Sequence, residues 1–308
     1  MEAIVYEEFG GPEVLRRATG VAVPEPGPGE VRVKVAAVGV NPLDWKRRYG
    51  WVEDFYPTVF PAVPGLEFAG TVDALGEGVT ELAVGDEVFG WTETGAYAEY
   101  AIAGTVAPKP AGLSWEAAAS LPVAGETARR VLDLLRVRAG ETLFLHGAAG
   151  VVGSVAVQLA VAAGITVVGS ASEANHDHLR ELGAIPVAYG EGLADRVRAV
   201  APEGVDAVFD AAGHGVLPVA IDLLGGGDAA KERIVTIAAT DAAAHGIVFS
   251  GATGEPEAVR RGLAEQARLA VEGVLAVRLA EVLPLKEAAR AQELSESGHV
   301  RGKIVLIP

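Results

Sequence analysis

Hydrophobic and polar positions follow two different rhythms along this chain. In EVRVKVAAVGV, Val31, Val33 and Val35 alternate with Arg32 and Lys34, the period of a half-buried strand. EFAGTVDALG, DEVFG and GAYAEYAIA are further short strand segments bounded by Gly, Pro and Asp, and PEPGPGE is a rigid turn. Short strands closed by such turns predict a small antiparallel, barrel-like domain.

From Ser114 the period lengthens. Ser114 is placed to cap a helix carrying Trp115 and Ala117 to Ala119, with Glu116 near its positive end. A second helix is predicted from Gly125 to Leu135. Strand and helix patterns then alternate: strands at Thr142 to Leu145, Thr166 to Val168, Ala207 to Phe209, Ile234 to Ala238 and Ile247 to Phe249, helices at Val151 to Ala163 and His176 to Leu182. That succession predicts a mostly parallel sheet. The chain ends with a helix from Leu285 to Ser295 and a strand from Ile304 to Ile307. The expected class is α/β, with a split domain around an inserted one.

Composition narrows the function classes. A chain of 308 residues has room for two domains. A formal charge of −16 argues against a nucleic-acid partner, which needs a basic footprint. With no cysteine, disulfides, thiol catalysis and thiolate-bound zinc are excluded. The histidines His146, His176, His178, His214, His245 and His299 are scattered, so no metal is expected. MEAIVYEEFG carries two acids before any base and no apolar signal core, and no stretch reads as a membrane span. A cytoplasmic location without a membrane partner is the expectation.

LFLHGAAGVVGSVAVQLA holds the densest chemistry. A strand, a glycine turn at Gly147, Gly150 and Gly153, and a helix place backbone N–H groups against a pyrophosphate. The spacing is G-x-x-G-x-x-G, and Ser154 follows where an ATP-type loop carries Lys-Ser or Lys-Thr. Ala148, Val151 and Val152 belong to the same expected contact surface. Beyond the next strand, Ser170, Ala171 and Ser172 leave room for a 2′-phosphate, with Asn175 and His176 as donors. Glu173 is the contrary sign unless it merely opens the following helix. This selects NADP(H) over NAD(H). VDAVFDAAG ends in small residues, so Ala211 and Ala212, extended by Ile237 and Ala238, are expected to wall the nicotinamide, with Asp206 and Asp210 having no catalytic part.

In their order along the chain, GVNPLDWKRRYG, PAVPGLEFAGTV, GDEVFG, GAYAEY, the coenzyme turn and VRGKIVLIP resemble the medium-chain dehydrogenase/reductases, in the zinc-free quinone oxidoreductase-like branch. The resemblance implies a GroES-like β-barrel substrate domain, 1–120 with 250–308, around a Rossmann parallel-sheet domain, 121–249. It further implies NADP(H) in an interdomain cleft and a homodimer. Zinc-dependent members carry cysteine at the position of Asn41 and histidine at that of Leu66, before Glu67; both ligands are missing here. The implied activity is hydride transfer to a quinone or activated alkene (an enone or enal). Asn41, Tyr49 and Thr127 are the candidate catalytic groups, the first and last also touching coenzyme. Trp45, Trp51, Phe55 and Tyr56 either line a flat apolar pocket or pack as core or lid. Tyr189 and Lys303 resemble residues near the coenzyme, and Arg301 either reaches the 2′-phosphate or has an ordinary solvent role. A regulatory coenzyme-binding protein and a zinc-independent alcohol or aldehyde reductase are the competing readings.

Overall fold

A computed structural model describes residues 1–92, 94–251, 256–298 and 300–308. The chain divides into two compact units, Met1–Val123 with Gly254–Pro308, and Ala124–Thr253.

The first unit opens with a two-stranded ribbon, β1 (Ala3–Val5) and β2 (Arg16–Ala18), followed by β3 (Val31–Gly39), β4 (Glu67–Leu75), β5 (Glu87–Trp91), β6 (Tyr100–Ala103) and β7 (Thr105–Pro108). The alternation in β3 has its expected result: Val31, Val33 and Val35 are buried while Lys34 is exposed. With Phe68, Val72, Val88 and Leu306 they form the core of this unit, each large apolar side chain contributing about 1.5–3 kcal/mol.

The second unit holds six parallel strands: β8 (Thr142–His146), β9 (Thr166–Ala171), β10 (Ile185–Ala188), β11 (Ala207–Asp210), β12 (Ile234–Thr236) and β13 (Val248–Phe249). Their order is β10-β9-β8-β11-β12-β13. Central strands are buried on both faces and read as apolar runs, as in TLFLH and AVFD. Phe144, Val168, Val208 and Ile234 are buried in the core beneath them.

The chain then returns to the first unit through β14 (Leu279–Pro284) and β15 (Lys303–Ile307). These join the seven-stranded sheet in the order β14-β15-β3-β4-β5-β7, with β6 also on β3. Within this sheet, among the described residues, only β14 and β15 pair in parallel. The α/β class and its pairing of a largely antiparallel with an all-parallel sheet agree with the expectation.

Four local features differ from the expectation or were not part of it. Pro186 sits inside β10 and argues against a strand on sequence, yet β10 is an edge, where a missing N–H costs no ladder bond. The strand expected over Ile234 to Ala238 stops at Thr236, whose Oγ1 accepts from Ala238 N at 3.0 Å and Ala239 N at 2.9 Å and bends the chain. The helix expected from Gly125 begins at Pro122, a residue suited to a first turn. A helix at Pro256–Val271, absent from the periodicity reading, packs on β7, with Arg260 Nη1 donating to Gly104 O at 3.1 Å.

Candidate functional site

The glycine turn in the second unit assigns its three glycines different tasks. Gly147 adopts a φ of +80°, the left-handed region. A Cβ on Gly153 would overlap the Gly147 carbonyl oxygen and lie 2.8 Å from Ala148 Cα, so the helix can start beside the strand only without a side chain there. Gly150, the N-cap of the helix Val151–Ala162, differs: a Cβ would meet only Gly147 O, at 3.4 Å. Protein fills the space around Gly147 and Gly153 and leaves that around Gly150 open. The first helical N–H groups, at Val151 and Val152, have no intrahelical acceptor and face a favourable dipole for an anion. Ser154 Oγ donates back to Ala148 O at 3.3 Å, a packing role.

Beside the turn, two hydrogen-bonded side-chain pairs stand at four adjacent strand ends. Ser170, His146, Asp210 and Thr236 stand in register on β9, β8, β11 and β12. His146 Nδ1 and Ser170 Oγ lie 2.7 Å apart, and Gly147 N donates to the same hydroxyl at 3.3 Å. Asp210 Oδ1 accepts from Ala212 N at 3.0 Å and Gly213 N at 2.7 Å, and Oδ2 accepts from Thr236 Oγ1 at 2.7 Å. Asp210 therefore shapes the turn bearing Ala211 and Ala212, and Thr236 the one bearing Ile237 and Ala238. Burial pushes the His146 pKa down against the pull of Asp210.

At the outer end of β9 the hydroxyl of Ser170 is fully buried and used internally. Ala171 is buried. Ser172 Oγ accepts from Asn175 Nδ2 at 3.0 Å, and the buried Nε2 of His176 has no partner among the described residues. Glu173 points to solvent at the start of a short 3₁₀ turn. Tyr189 is exposed on a turn that Arg196 holds by donating to the carbonyls of Ala188, Tyr189 and Gly190. Thr127 is buried in the helix Pro122–Leu135.

In the first unit, Asn41 begins the helix Pro42–Arg48 and lies at the end of β3. Its Nδ2 donates to Glu67 Oε1 at 2.8 Å and its Oδ1 accepts from Lys303 Nζ at 2.7 Å; Lys303 and Glu67 also form an ion pair. Asn41, Glu67 and Lys303 are all buried. Glu67 Oε2 accepts from Val123 N at 2.7 Å. Asp44 accepts from the Asn41 backbone N–H at 2.8 Å and from Tyr97 Oη at 3.1 Å, while its Oδ1 has no partner among the described residues. Burial raises the Asp44 pKa to about 7, against opposing hydrogen bonds and the Lys303 charge. Sequence reasoning passed over Glu67, Asp44 and Tyr97; only the Asn41-Pro-x-Asp44 helix start carried a readable signal.

The remaining candidates separate. Tyr49 stacks on Trp51 at 4.9 Å between ring centroids, and the hydrogen bond of its hydroxyl with Glu296 raises its pKa. Trp45 is anchored through Nε1 to Ser295 Oγ at 3.3 Å, and Arg47 lies over the Tyr56 ring. Trp51 is 65% and Phe55 80% exposed, so neither belongs to a core. Arg301 is exposed. His299 lies outside the described residues. Among the described residues no group of three or more His, Asp or Glu side chains is arranged to hold a metal ion.

Two family models match this chain: the alcohol dehydrogenase GroES-like domain over residues 27–111 and the zinc-binding dehydrogenase family over residues 182–306. A quinone oxidoreductase of Sus scrofa is 33% identical over 324 residues, covering 100% of this chain and 98% of that protein. The chain belongs to the medium-chain dehydrogenase/reductases, in their quinone oxidoreductase-like branch. Among solved structures, the Coxiella burnetii quinone oxidoreductase superposes with a TM-score of 0.84 at 32% identity, over 100% of this chain and 99% of its own. The mycobacterial protein Rv1454c complexed with NADPH gives 0.87 at 31% identity, over 100% of both chains.

Zinc, which one family description names, does not fit the residues present. At the two ligand positions of zinc-dependent members stand an amide, whose oxygen is taken by the Lys303 ammonium, and the hydrocarbon of Leu66; Glu67 is bound to the same ammonium.

The Asp44 carboxyl generates a pH prediction. Its folded pKa lies above its unfolded value, so the fold binds the proton more tightly and loses stability as pH rises from about 4 to about 7. Asp44→Asn keeps an acceptor and removes the charge. Urea unfolding of both proteins should show the variant gaining on the wild type through that window, by a few kcal/mol in full, and no further above it. A difference independent of pH would contradict the assignment.

Proposed function

We propose that the protein is an NADPH-dependent reductase that delivers hydride to a quinone or to the activated double bond of an enone or enal. The observation that carries this reading is the space kept open at Gly150, at the N-terminus of a 12-residue helix, between two glycines that the protein itself fills. In this reading Gly147, Ala148, Gly150, Val151 and Val152 hold the pyrophosphate, and Ser172, Asn175, His176 and Tyr189 the 2′-phosphate end. Ser170 acts behind them, by fixing Gly147 N. Arg301 reaches a phosphate. Ala211, Ala212, Ile237 and Ala238 wall the nicotinamide.

Bound NADPH supplies the hydride. The chain's own task is to orient the reacting groups, exclude water and meet the negative charge that develops on the acceptor oxygen. Asn41 and Thr127 are assigned to orientation. Tyr49 could donate only after its hydroxyl leaves Glu296. Trp51 and Phe55 each expose an apolar ring of the kind a flat acceptor can stack on.

NADPH should be oxidised in preference to NADH in a screen of 1,4-quinones, 2-alkenals and cyclic enones. NADH preference would overturn the reading of Ser172 to His176, carbonyl reduction would favour an alcohol or aldehyde reductase, and tight NADPH binding without turnover a regulatory protein. The glycines give a separate test. Gly150→Ala should keep the wild-type Tm and lose NADPH affinity about tenfold or more, about 1.4 kcal/mol. Gly153→Ala should lose about 1–3 kcal/mol of stability through overpacking. Equal losses of stability in both would sink the distinction.

We also propose a homodimer. The sheet edge β13 leaves Val248 50% and Phe249 52% exposed, an open edge of the kind that pairs with another strand. Light scattering should give twice the chain mass, and Phe249→Lys should shift it to the monomer; a monomeric wild type would end this proposal.

A further inference from the structure

Lys303 is 1% exposed and Glu67 fully buried, yet their ion pair is not isolated. Lys303 Nζ donates to Asn41 Oδ1 at 2.7 Å, and Asn41 Nδ2 donates at 2.8 Å to Glu67 Oε1, the oxygen that also meets Lys303. The three groups close a triangle, and every element of it is held from outside. Glu67 Oε2 accepts from Val123 N, and the carboxylate lies so close to Gly39 that a Cβ there would overlap Glu67 Oε1. Lys303 N donates to Arg278 O at 2.8 Å, and Gly302, at a φ of +123°, has no room for a side chain against that carbonyl. The ammonium enters the triangle from a fixed backbone.

A primary amide has two ends of nearly equal size, and its hydrogen-bond partners decide which end points where. Here the choice is made by charge: the oxygen faces the ammonium and the NH₂ faces the carboxylate. A flipped amide would set an N–H against Lys303 and a lone pair against Glu67, two repulsions at hydrogen-bond distance in a buried place. With neutral partners of the same shape that discrimination is lost.

We propose that Lys303, clamped by Glu67, is a positioning residue whose ammonium locks the Asn41 side-chain amide in one orientation for the reaction. Lys303 acts through Asn41 and not by touching coenzyme. This rests on the reading above in which Asn41 contacts coenzyme or substrate. A purely structural ion pair predicts something different. Replacing both members of a buried pair by neutral residues of similar volume is often harmless to stability, whereas removing one strands a buried charge. The neutral double variant therefore separates the two roles.

The experiment compares wild type, Asn41→Ala, Lys303→Met, and Glu67→Gln with Lys303→Met, by thermal unfolding, by kcat and KM for a 1,4-quinone with NADPH, and by the ¹⁵N side-chain amide signals of the coenzyme-free protein. Lys303→Met alone should lower Tm. The double variant should regain the wild-type Tm, yet lose about 10- to 100-fold in kcat, the scale of a misplaced group, and adding Asn41→Ala to it should cost little more. Its Asn41 amide protons should exchange faster with solvent than those of the wild type. If the double variant keeps full kcat and amide protection while Asn41→Ala is damaging, the role of Lys303 is refuted. If Asn41→Ala is itself harmless in an active enzyme, the reading of Asn41 falls, and the proposal with it.

Discussion

One buried carboxylate governs the organisation of the first unit. Glu67, at the start of β4, receives the Asn41 amide from the end of β3, the Lys303 ammonium from the start of β15 and the backbone N–H of Val123 at the start of a helix. A charge without solvent must be matched or it costs several kcal/mol, so these segments are obliged to converge. The same demand consumes most of the hydrogen-bonding capacity of Asn41. It also brings Asp44 into a buried environment with a pKa of about 7. The packing requirement and the placement of the Asn41 amide thus come from a single constraint.

The second unit solves its corresponding problem with side chains at adjacent strand ends. Four side chains in register, Ser170, His146, Asp210 and Thr236, join neighbouring strand ends. They hold the following turns by accepting from backbone N–H groups at 147, 212, 213, 238 and 239. These turns have few polar side chains of their own, so their shape is imposed from the strand ends. Gly150 is the one glycine of the turn whose missing Cβ serves no neighbouring protein atom closely.

The parts legible in sequence were those encoded locally. Alternation in β3, the apolar runs of β8 and β11 and the spacing of Gly147, Gly150 and Gly153 each lie within a few residues, and each predicted its element. The triangle was invisible because Asn41 and Lys303 are 262 residues apart, and nothing near Lys303 signals that it turns inward. Ser170 shows the other limit. Its type and place suggested a phosphate contact, but only the register of β9 against β8 reveals that His146 and Gly147 already hold its hydroxyl. β10 was not foreseen: it carries Pro186, which a strand tolerates at an edge, and being an edge is a property of the whole sheet.

In the proposed function these two arrangements serve direct hydride transfer from a bound nicotinamide to an organic acceptor. Single-turnover oxidation of NADPH deuterated separately at each C4 position, with a 1,4-quinone as acceptor, tests it most directly. The account predicts a primary isotope effect with one C4 diastereomer and none with the other, as expected when the protein presents a single face of the ring. Oxidation that shows no isotope effect with either diastereomer during single turnover, or no oxidation at all, would contradict it.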